Sequence, residues 1–332
     1  MATPIIEIDG ISRRFVKHLD LAGKIARALG SDLREETVHA VDGVRLTIEP
    51  GEVVGLVGES GCGKSTLGRI VAGILPPSEG TILFKGRDRK DLDGADAHAA
   101  ALAVQMIFQD PMSSLNPRKR VRDIIGEAPR VHKVVSAAEL DGFLDDIMIK
   151  VGLDPSYKRR YPHQFSGGQR ARIGIARALS VRPEFLVCDE SVAALDVSIQ
   201  AQVLNLFMDL RQQLDLTYLF ISHDLGVVEH ISDRVVIMYL GRVVETAPTE
   251  PLFAEPNHPY TRALLDEVPR IDLRKRRFEP IRGEIPSPID PPPGCHFHPR
   301  CPLAISRCKT ERPMLREIAP GRASACHLND QA

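Results

Sequence analysis

No apolar run in this chain reaches the roughly 18 residues that a membrane-spanning helix needs. No excess of either charge exists: 43 Lys and Arg face 44 Asp and Glu, a formal net charge of -1. Without a global positive field, a polyanion such as nucleic acid is not expected as the main partner. The first ten residues, MATPIIEIDG, lack the basic flank and apolar stretch of a signal peptide. The chain is therefore expected to stay in the cytoplasm unless something holds it at a membrane. Cysteine is scarce over the first two thirds, where Cys62 and Cys188 stand alone. With no export signal, disulfides are not expected. There is no internal repeat. What remains is an ordinary globular composition, 43% hydrophobic and 26% charged, in 332 residues. That length accommodates one large domain and a smaller one.

The pattern along the chain is α/β. Residues 5–8 and 44–48 read as short strands, followed by the apolar strand Glu52–Val57. Between them, Val16 to Glu36 carries Leu21, Ile25 and Ala28 at helical spacing. A helix is expected over 65–75, a strand from Gly80 to Lys85, and a largely helical stretch over 120–175. Phe185–Cys188, Tyr218–Ser222 and Val235–Tyr239 read as buried strands with helices between them. Such alternation predicts a parallel sheet wrapped on both faces. From about residue 251 prolines become dense, ending in Pro291-Pro292-Pro293-Gly294. This reads as a separate, loop-rich appendage short of core.

Gly58-Glu59-Ser60-Gly61-Cys62-Gly63-Lys64-Ser65 fits the phosphate-binding pattern G-x-x-x-x-G-K-[ST], between a strand and a helix. Glycines let successive backbone N–H groups converge on phosphate oxygens, and the helix N-terminus adds partial positive charge. Gly58, Ser60, Gly61, Cys62, Gly63, Lys64, Ser65 and Thr66 are thus the expected ATP-binding set, with Lys64 on the β- and γ-phosphates and Ser65 on Mg²⁺. Cys62 reads as a small filler rather than a reactive thiol. Downstream, Phe185-Leu186-Val187-Cys188-Asp189-Glu190 delivers two carboxylates at a strand's carboxyl end, where open α/β sheets place ligands. Asp189 suits Mg²⁺, and Glu190 suits the general base that activates water.

Phe165-Ser166-Gly167-Gly168-Gln169, ahead of a basic helix, separates this chain from other phosphate-loop proteins. It resembles the LSGGQ signature of ABC ATPases, with Phe165 in place of Leu. Physically it is a second anion site at a helix N-terminus. The resemblance implies that Ser166, Gly167, Gly168 and Gln169 contact ATP held on a partner subunit, which requires head-to-tail dimerisation. It also implies a Q-loop at Gln109, which senses Mg²⁺ and couples to a transmembrane subunit. A D-loop at Ala194-Leu195-Asp196 and a switch histidine at His223 complete the order. The implied fold is a RecA-like parallel sheet with an antiparallel β subdomain and a helical subdomain over about 110–175. Ser191-Val192 stands where many relatives have Pro-Thr. Phe15 is the expected adenine-stacking aromatic, although an insert separates it from the phosphate loop.

Outside the catalytic motifs, Gln109-Asp110-Pro111, Ser114-Leu115-Asn116-Pro117-Arg118, Tyr161-Pro162-His163-Gln164-Phe165, Asn257-His258-Pro259-Tyr260-Thr261-Arg262 and Gly283-Glu284-Ile285-Pro286-Ser287-Pro288 narrow the resemblance. Together they look like the ATP-binding subunits of oligopeptide/dipeptide ABC importers. The resemblance implies an ATPase domain over 1–250 and a transporter-type C-terminal domain over 251–332. It implies ATP hydrolysis driving uptake of short peptides, or of nickel chelates or related solutes. The expected partners are two transmembrane permeases, a second and paralogous ABC ATPase, and an external solute-binding protein. The expected place is the cytoplasmic face of the inner membrane. A soluble ABC protein on ribosomes or DNA is the alternative, but such proteins commonly carry tandem ATPase domains or a long coiled-coil insert, and this chain has neither. A metal-sensing or nucleic-acid module, read from the tail alone, would leave the ATPase motifs unexplained.

Cys295, Cys301, Cys308 and Cys326 crowd the tail with the spacing C-x₅-C-x₆-C-x₁₇-C. Structural zinc sites favour tighter pairs. Four thiolates suit an iron–sulfur cluster, and the resemblance implies [4Fe–4S] there. Zinc, with His296, His298 or His327 replacing a thiol, and unliganded thiols remain as alternatives. Arg274-Lys275-Arg276-Arg277 reads as a solvated surface, with lipid headgroups as its other possible contact.

Overall fold

A computed structural model of the chain describes residues 3–17, 19, 35–110, 114–267, 281 and 283–331. The helix expected around Leu21, Ile25 and Ala28 and the basic run at 274–277 lie outside these residues. Two sheets frame the fold. The smaller is antiparallel and holds β1 (Ile6–Lys17), β2 (Glu36–Ile48), β4 (Glu79–Phe84) and β5 (Arg87–Asp88) in the order β2-β1-β4-β5. β1 and β2 run well beyond the apolar stretches at 5–8 and 44–48. Their inner ends bury Ile6, Ile8, Ile11, Val44, Leu46 and Ile48, while their outer ends form a ribbon pairing Phe15 with Val38 and Lys17 with Glu36. That ribbon is held by backbone pairing and buries little, so it leaves no apolar alternation to read.

The larger sheet contains β3 (Val53–Val57), β6 (Val104–Ile107), β7 (Phe185–Asp189), β8 (Thr217–Ile221), β9 (Arg234–Tyr239) and β10 (Arg242–Pro248). β11 (Arg316–Ala319) and β12 (Arg322–Ser324) extend it, and the order is β11-β12-β10-β9-β3-β8-β7-β6. Its centre is parallel: β3 pairs with β8 and β9, and β7 with β6 and β8. β3 and β7 are buried at every position, and β7 is apolar up to Asp189 at its carboxyl end, as strands covered on both faces must be. β10, β11 and β12 are antiparallel additions, so the sheet is mixed rather than purely parallel.

Three apolar cores follow. On one face, α1 (Lys64–Val71) packs between the two sheets through Leu67, Ile70 and Val71. Gly68 lies so close to the sheet that a Cβ there would stand 2.6 Å from Ile221 Cδ1. On the other face lie α3 (Val121–Val131), α4 (Leu140–Lys150), α5 (Gly167–Leu179) and α6 (Val197–Leu214), whereas α2 (Gly94–Ala103), leading into β6, adds Ala100 and Ala103 to the first core. The stretch over 120–175 is helical but broken. Gly152, at φ +70°, follows the end of α4, and two short 3₁₀ turns beginning at Pro155 and Pro162 separate it from α5.

The third core joins β9 and β10 to α7 (Leu225–Ile231), α8 (Thr249–Ala254), α9 (Pro259–Asp266) and the tail. Here the expectation of a separate, core-poor appendage is corrected. Phe297 is 1% exposed and packs edge-on to Tyr239 at 5.3 Å, with Tyr260 also at 5.3 Å. β12 pairs with β10 through Glu245–Ser324 and Thr246–Ala323. Few apolar residues are needed, because the tail borrows the core and the edge of the ATPase sheet.

Candidate nucleotide site

Parallel strands present their carboxyl ends on one edge, and four of them build the site. β3 ends in the phosphate loop, and β6, β7 and β8 run into Gln109, Asp189–Glu190 and His223. Register then dictates contact. Ile107 lies opposite Cys188, and Asp189 opposite Ile221. Gln109 and His223 therefore arrive on either side of Glu190. Gln109 Nε2 donates to Glu190 Oε2 at 2.6 Å, and His223 Nδ1 lies 3.2 Å from Oε1. Glu190 itself sits at φ +47°, where a side chain is strained, and its N–H donates to Ile221 O at 2.9 Å. That backbone turn directs the carboxylate away from the strand line and towards its two neighbours.

In the phosphate loop, Gly61 (φ +78°) has open space around the position of a Cβ, consistent with an apex that approaches phosphate. Gly63 (φ +105°) is different: a Cβ there would stand 2.0 Å from Ala40 O, so close packing on β2 also demands glycine. Ser60 and Gly61 are exposed, Thr66 is half-buried on α1, and Lys64 is only 4% exposed. Lys64 Nζ donates to Gly58 O at 2.7 Å and Glu59 O at 3.0 Å. Cys62 is 5% exposed, and burial pushes its thiol up despite the Lys64 charge beside it. Ser65 Oγ donates to Asp189 Oδ1 at 2.8 Å. Asp189 is 2% exposed, and burial raises its pKa against that hydrogen bond. Two hard oxygen donors held side by side are a donor set that suits Mg²⁺.

Ser166, Gly167, Gly168 and Gln169 lie at the start of α5. Ser166 N donates to Gln169 Oε1 at 3.1 Å while Gln169 N donates to Ser166 Oγ at 3.4 Å, a reciprocal cap. Gly167 and Gly168 follow in the first turn, where N–H groups have no partner within the helix. Ser166 and Gly167 are exposed. Gly168 also makes room for α6, since a Cβ there would lie 2.4 Å from Ile199 Cγ2. Phe165, the departure from leucine, is 4% exposed and packs edge-on to Tyr157. Asp196 is exposed at the N-cap of α6. Phe15 lies on the outer ribbon, 39% exposed, with the Arg13 guanidinium 4.8 Å above its ring.

The tail thiols are free, Cys308 buried and the other three half-buried. Burial, and then the nearby Cys308, Cys301 and Cys326, push Cys295 up to about 11. Among the described residues, however, no group of three or more His, Cys, Asp or Glu side chains is arranged to hold a metal ion. The described geometry thus gives no support to the expected cluster or zinc ion.

Sequence reasoning missed a contact between tail and phosphate loop. Arg300 Nη1 and Nη2 donate to Glu59 Oε2 and Oε1 at 2.7 and 2.9 Å. Glu59 N donates to the Tyr260 hydroxyl at 3.0 Å, and Gly241 N to Cys62 O at 2.9 Å. Glu59 is a variable position of its motif, and nothing local to it points to a residue 241 positions away.

The fold and this edge define a phosphate-loop nucleotide-binding protein with the motif arrangement of an ABC ATPase. Residues 41–193 match the family model described as ABC transporter, and 244–308 match oligopeptide/dipeptide transporter, C-terminal region. The oligopeptide transport ATP-binding protein AppF of Bacillus subtilis is 52% identical over 88% of this chain and 90% of its own. The probable peptide ABC transporter ATP-binding protein y4tS of Sinorhizobium fredii is 49% identical, over 89% and 84%. The structure of cbiO1 from Clostridium perfringens, part of the ABC transporter complex cbiONQ, superposes with a TM-score of 0.62 at 27% identity, over 76% of this chain and 92% of that one. The chain belongs to the ATP-binding subunits of the oligopeptide/dipeptide ABC importer family, and it is an ABC ATPase. Among the described residues no helix is long and apolar enough to cross a membrane.

Proposed function

We propose that this ATPase powers uptake of short peptides, with Glu190 as the base that takes a proton from the attacking water. The observation that carries this reading is the Glu190 carboxylate, held between Gln109 at 2.6 Å and His223 at 3.2 Å on the edge that ends in the phosphate loop. A fixed base within reach of water typically contributes 10²–10⁴-fold in rate. Lys64 and the N–H groups of residues 58–66 hold the phosphates. Ser65, Gln109 and Asp189 would hold Mg²⁺, which when bound would neutralise charge on the phosphates. His223 orients the γ-phosphate, and Phe15 is the candidate adenine platform.

The exposed turn at Ser166 and Gly167 completes the site of a second ATPase subunit, a paralogue, in a head-to-tail pair. Asp196 lies at the same surface. Two permeases anchor that pair at the cytoplasmic face of the inner membrane, and an external binding protein supplies the solute. Peptide as the solute class is supported by the names of relatives about 50% identical to this chain. Residues 1–250 form the engine, with 110–175 as its helical part, and 251–332 the importer-type C-terminal domain. The four tail thiols remain candidates for [4Fe–4S], supported by donor type alone. Iron and sulfide at four per chain would bear this out, and a stoichiometric zinc content would overturn it.

The test is affinity purification of the chain from gently solubilised membranes. Two polytopic permeases and a sister ATPase are expected to co-purify. Recovery only from the soluble fraction, with ribosomes or DNA, would refute the transport reading and leave the ATPase chemistry intact.

A further inference from the structure

The phosphate loop carries a negative charge of its own. Glu59 follows Gly58 directly, so its carboxylate lies in the segment that must receive a polyphosphate. A bare carboxylate there would repel ATP. The structure supplies a counter-charge from the far end of the chain. Arg300 grips Glu59 through two parallel N–H···O bonds at 2.7 and 2.9 Å, the bidentate geometry that makes arginine–carboxylate pairs strong. The pair is shielded from solvent, with side-chain exposures of 5% and 20%, so salt screens it weakly.

The backbone is held as well. Tyr260, 0% exposed, accepts the Glu59 N–H, and the β9–β10 turn donates from Gly241 to Cys62 O. Tyr239 lies beneath, its hydroxyl 3.4 Å from Arg300 Nη1. Arg300 itself is fixed by its position three residues after Phe297, whose ring fills the aromatic cluster. The grip is therefore built on packed elements, with little freedom to release.

We propose that Arg300 is a positioning residue of the ATP site, which cancels the Glu59 carboxylate and holds the phosphate loop in shape, so that the C-terminal segment sets ATP affinity. This rests on the phosphate loop being the nucleotide site. Arg300 touches no substrate and acts through Glu59.

The test uses the full-length chain and equilibrium binding of Mg-ATP, with thermal melting recorded in parallel. Arg300→Ala is expected to weaken ATP binding about tenfold, because it leaves the Glu59 carboxylate uncompensated in the loop that receives the phosphates. The loss should shrink as salt rises, since the exposed carboxylate is then screened. The second substitution Glu59→Gln, added to Arg300→Ala, removes the repelling charge and is expected to return affinity to within about threefold of wild type. Arg300→Lys, which keeps the charge, should lie between. A merely structural role predicts the opposite for the double variant: both partners are gone, so affinity stays low or falls further. That outcome, or Arg300→Ala binding ATP like wild type, would overturn the proposal. Lys64→Ala serves as the separate control. If it binds ATP normally, the phosphate-loop reading itself is wrong, whatever Arg300 does.

Discussion

Replacing Glu190 by glutamine isolates the proton acceptor from its surroundings. The side chain is 14% exposed and its two oxygens have separate partners, Gln109 Nε2 at 2.6 Å and His223 Nδ1 at 3.2 Å. A glutamine can keep both contacts by accepting from Gln109 with its carbonyl and presenting its NH₂ to His223. The backbone at φ +47° is unchanged by the swap, so its strain is the same in both proteins. The stability change should therefore stay within about 1 kcal/mol, as for other substitutions that create neither cavity nor clash. Basicity is lost completely. The expected fall in kcat is about 10²–10⁴-fold, or roughly 3–5 kcal/mol on the barrier. Phosphate release by the assembled transporter gives kcat, and filter binding of labelled ATP gives retention. The variant should hold ATP as tightly as wild type and accumulate as a closed ATPase pair. Turnover within about threefold of wild type, with the fold intact, would refute Glu190 as the base.

Two further outcomes follow from buried titrating groups. Burial raises the Asp189 pKa against the Ser65 hydrogen bond, so ionising it costs stability that is lost as pH rises from its unfolded value through the raised one. Asp189→Asn should accordingly raise Tm of the nucleotide-free protein at neutral pH while abolishing Mg²⁺-dependent hydrolysis. An unchanged or lower Tm would contradict the burial argument. His258 is 1% exposed, its Nδ1 accepts from Tyr260 N, and burial lowers its pKa to about 4. The unfolded chain takes up that proton near 6.5 and the folded chain only near 4, so stability is lost as pH falls across this window. About 2 kcal/mol should disappear between roughly pH 7 and pH 5. His258→Asn, which keeps an N-cap acceptor, should flatten the slope of Tm against pH; an undiminished slope would place the effect elsewhere, for example at His296, which burial also lowers to about 4.

The site was legible because its parts are local. Residues 58–66 announce a phosphate loop through glycines and a lysine close together, and Asp189–Glu190 stand at the end of four apolar residues, Phe185–Cys188, whose burial is written in their composition. Strand order was not legible: nothing in the sequence says that β6 lies beside β7, the fact that brings Gln109 to Glu190. The tail was misjudged for a similar reason. β11 and β12 are four and three residues long, carry no apolar alternation, and owe their existence to the open edge of β10. Phe297 is a single apolar residue amid prolines and cysteines, and its value is visible only beside Tyr239 and Tyr260. Gly63 and Gly168 matched motifs read as ligand-binding, yet each also fills a space too tight for a methyl group, against Ala40 and Ile199. One residue can satisfy both demands, and sequence alone does not separate them.

The grip of Arg300 on Glu59 also orders events in time. The partners are 241 residues apart, so at a synthesis rate of about 5–20 residues per second the arginine emerges roughly 12–48 s after the carboxylate. Until then the nascent phosphate loop is complete in sequence but carries an uncancelled charge, and β10 presents an unpaired edge. A ribosome that stalls before residue 300 releases a product with every catalytic motif, a weakened hold on ATP and an edge open to aggregation. Synthesis through residue 324 closes both defects: Arg300 then grips Glu59, and β12 covers the edge of β10.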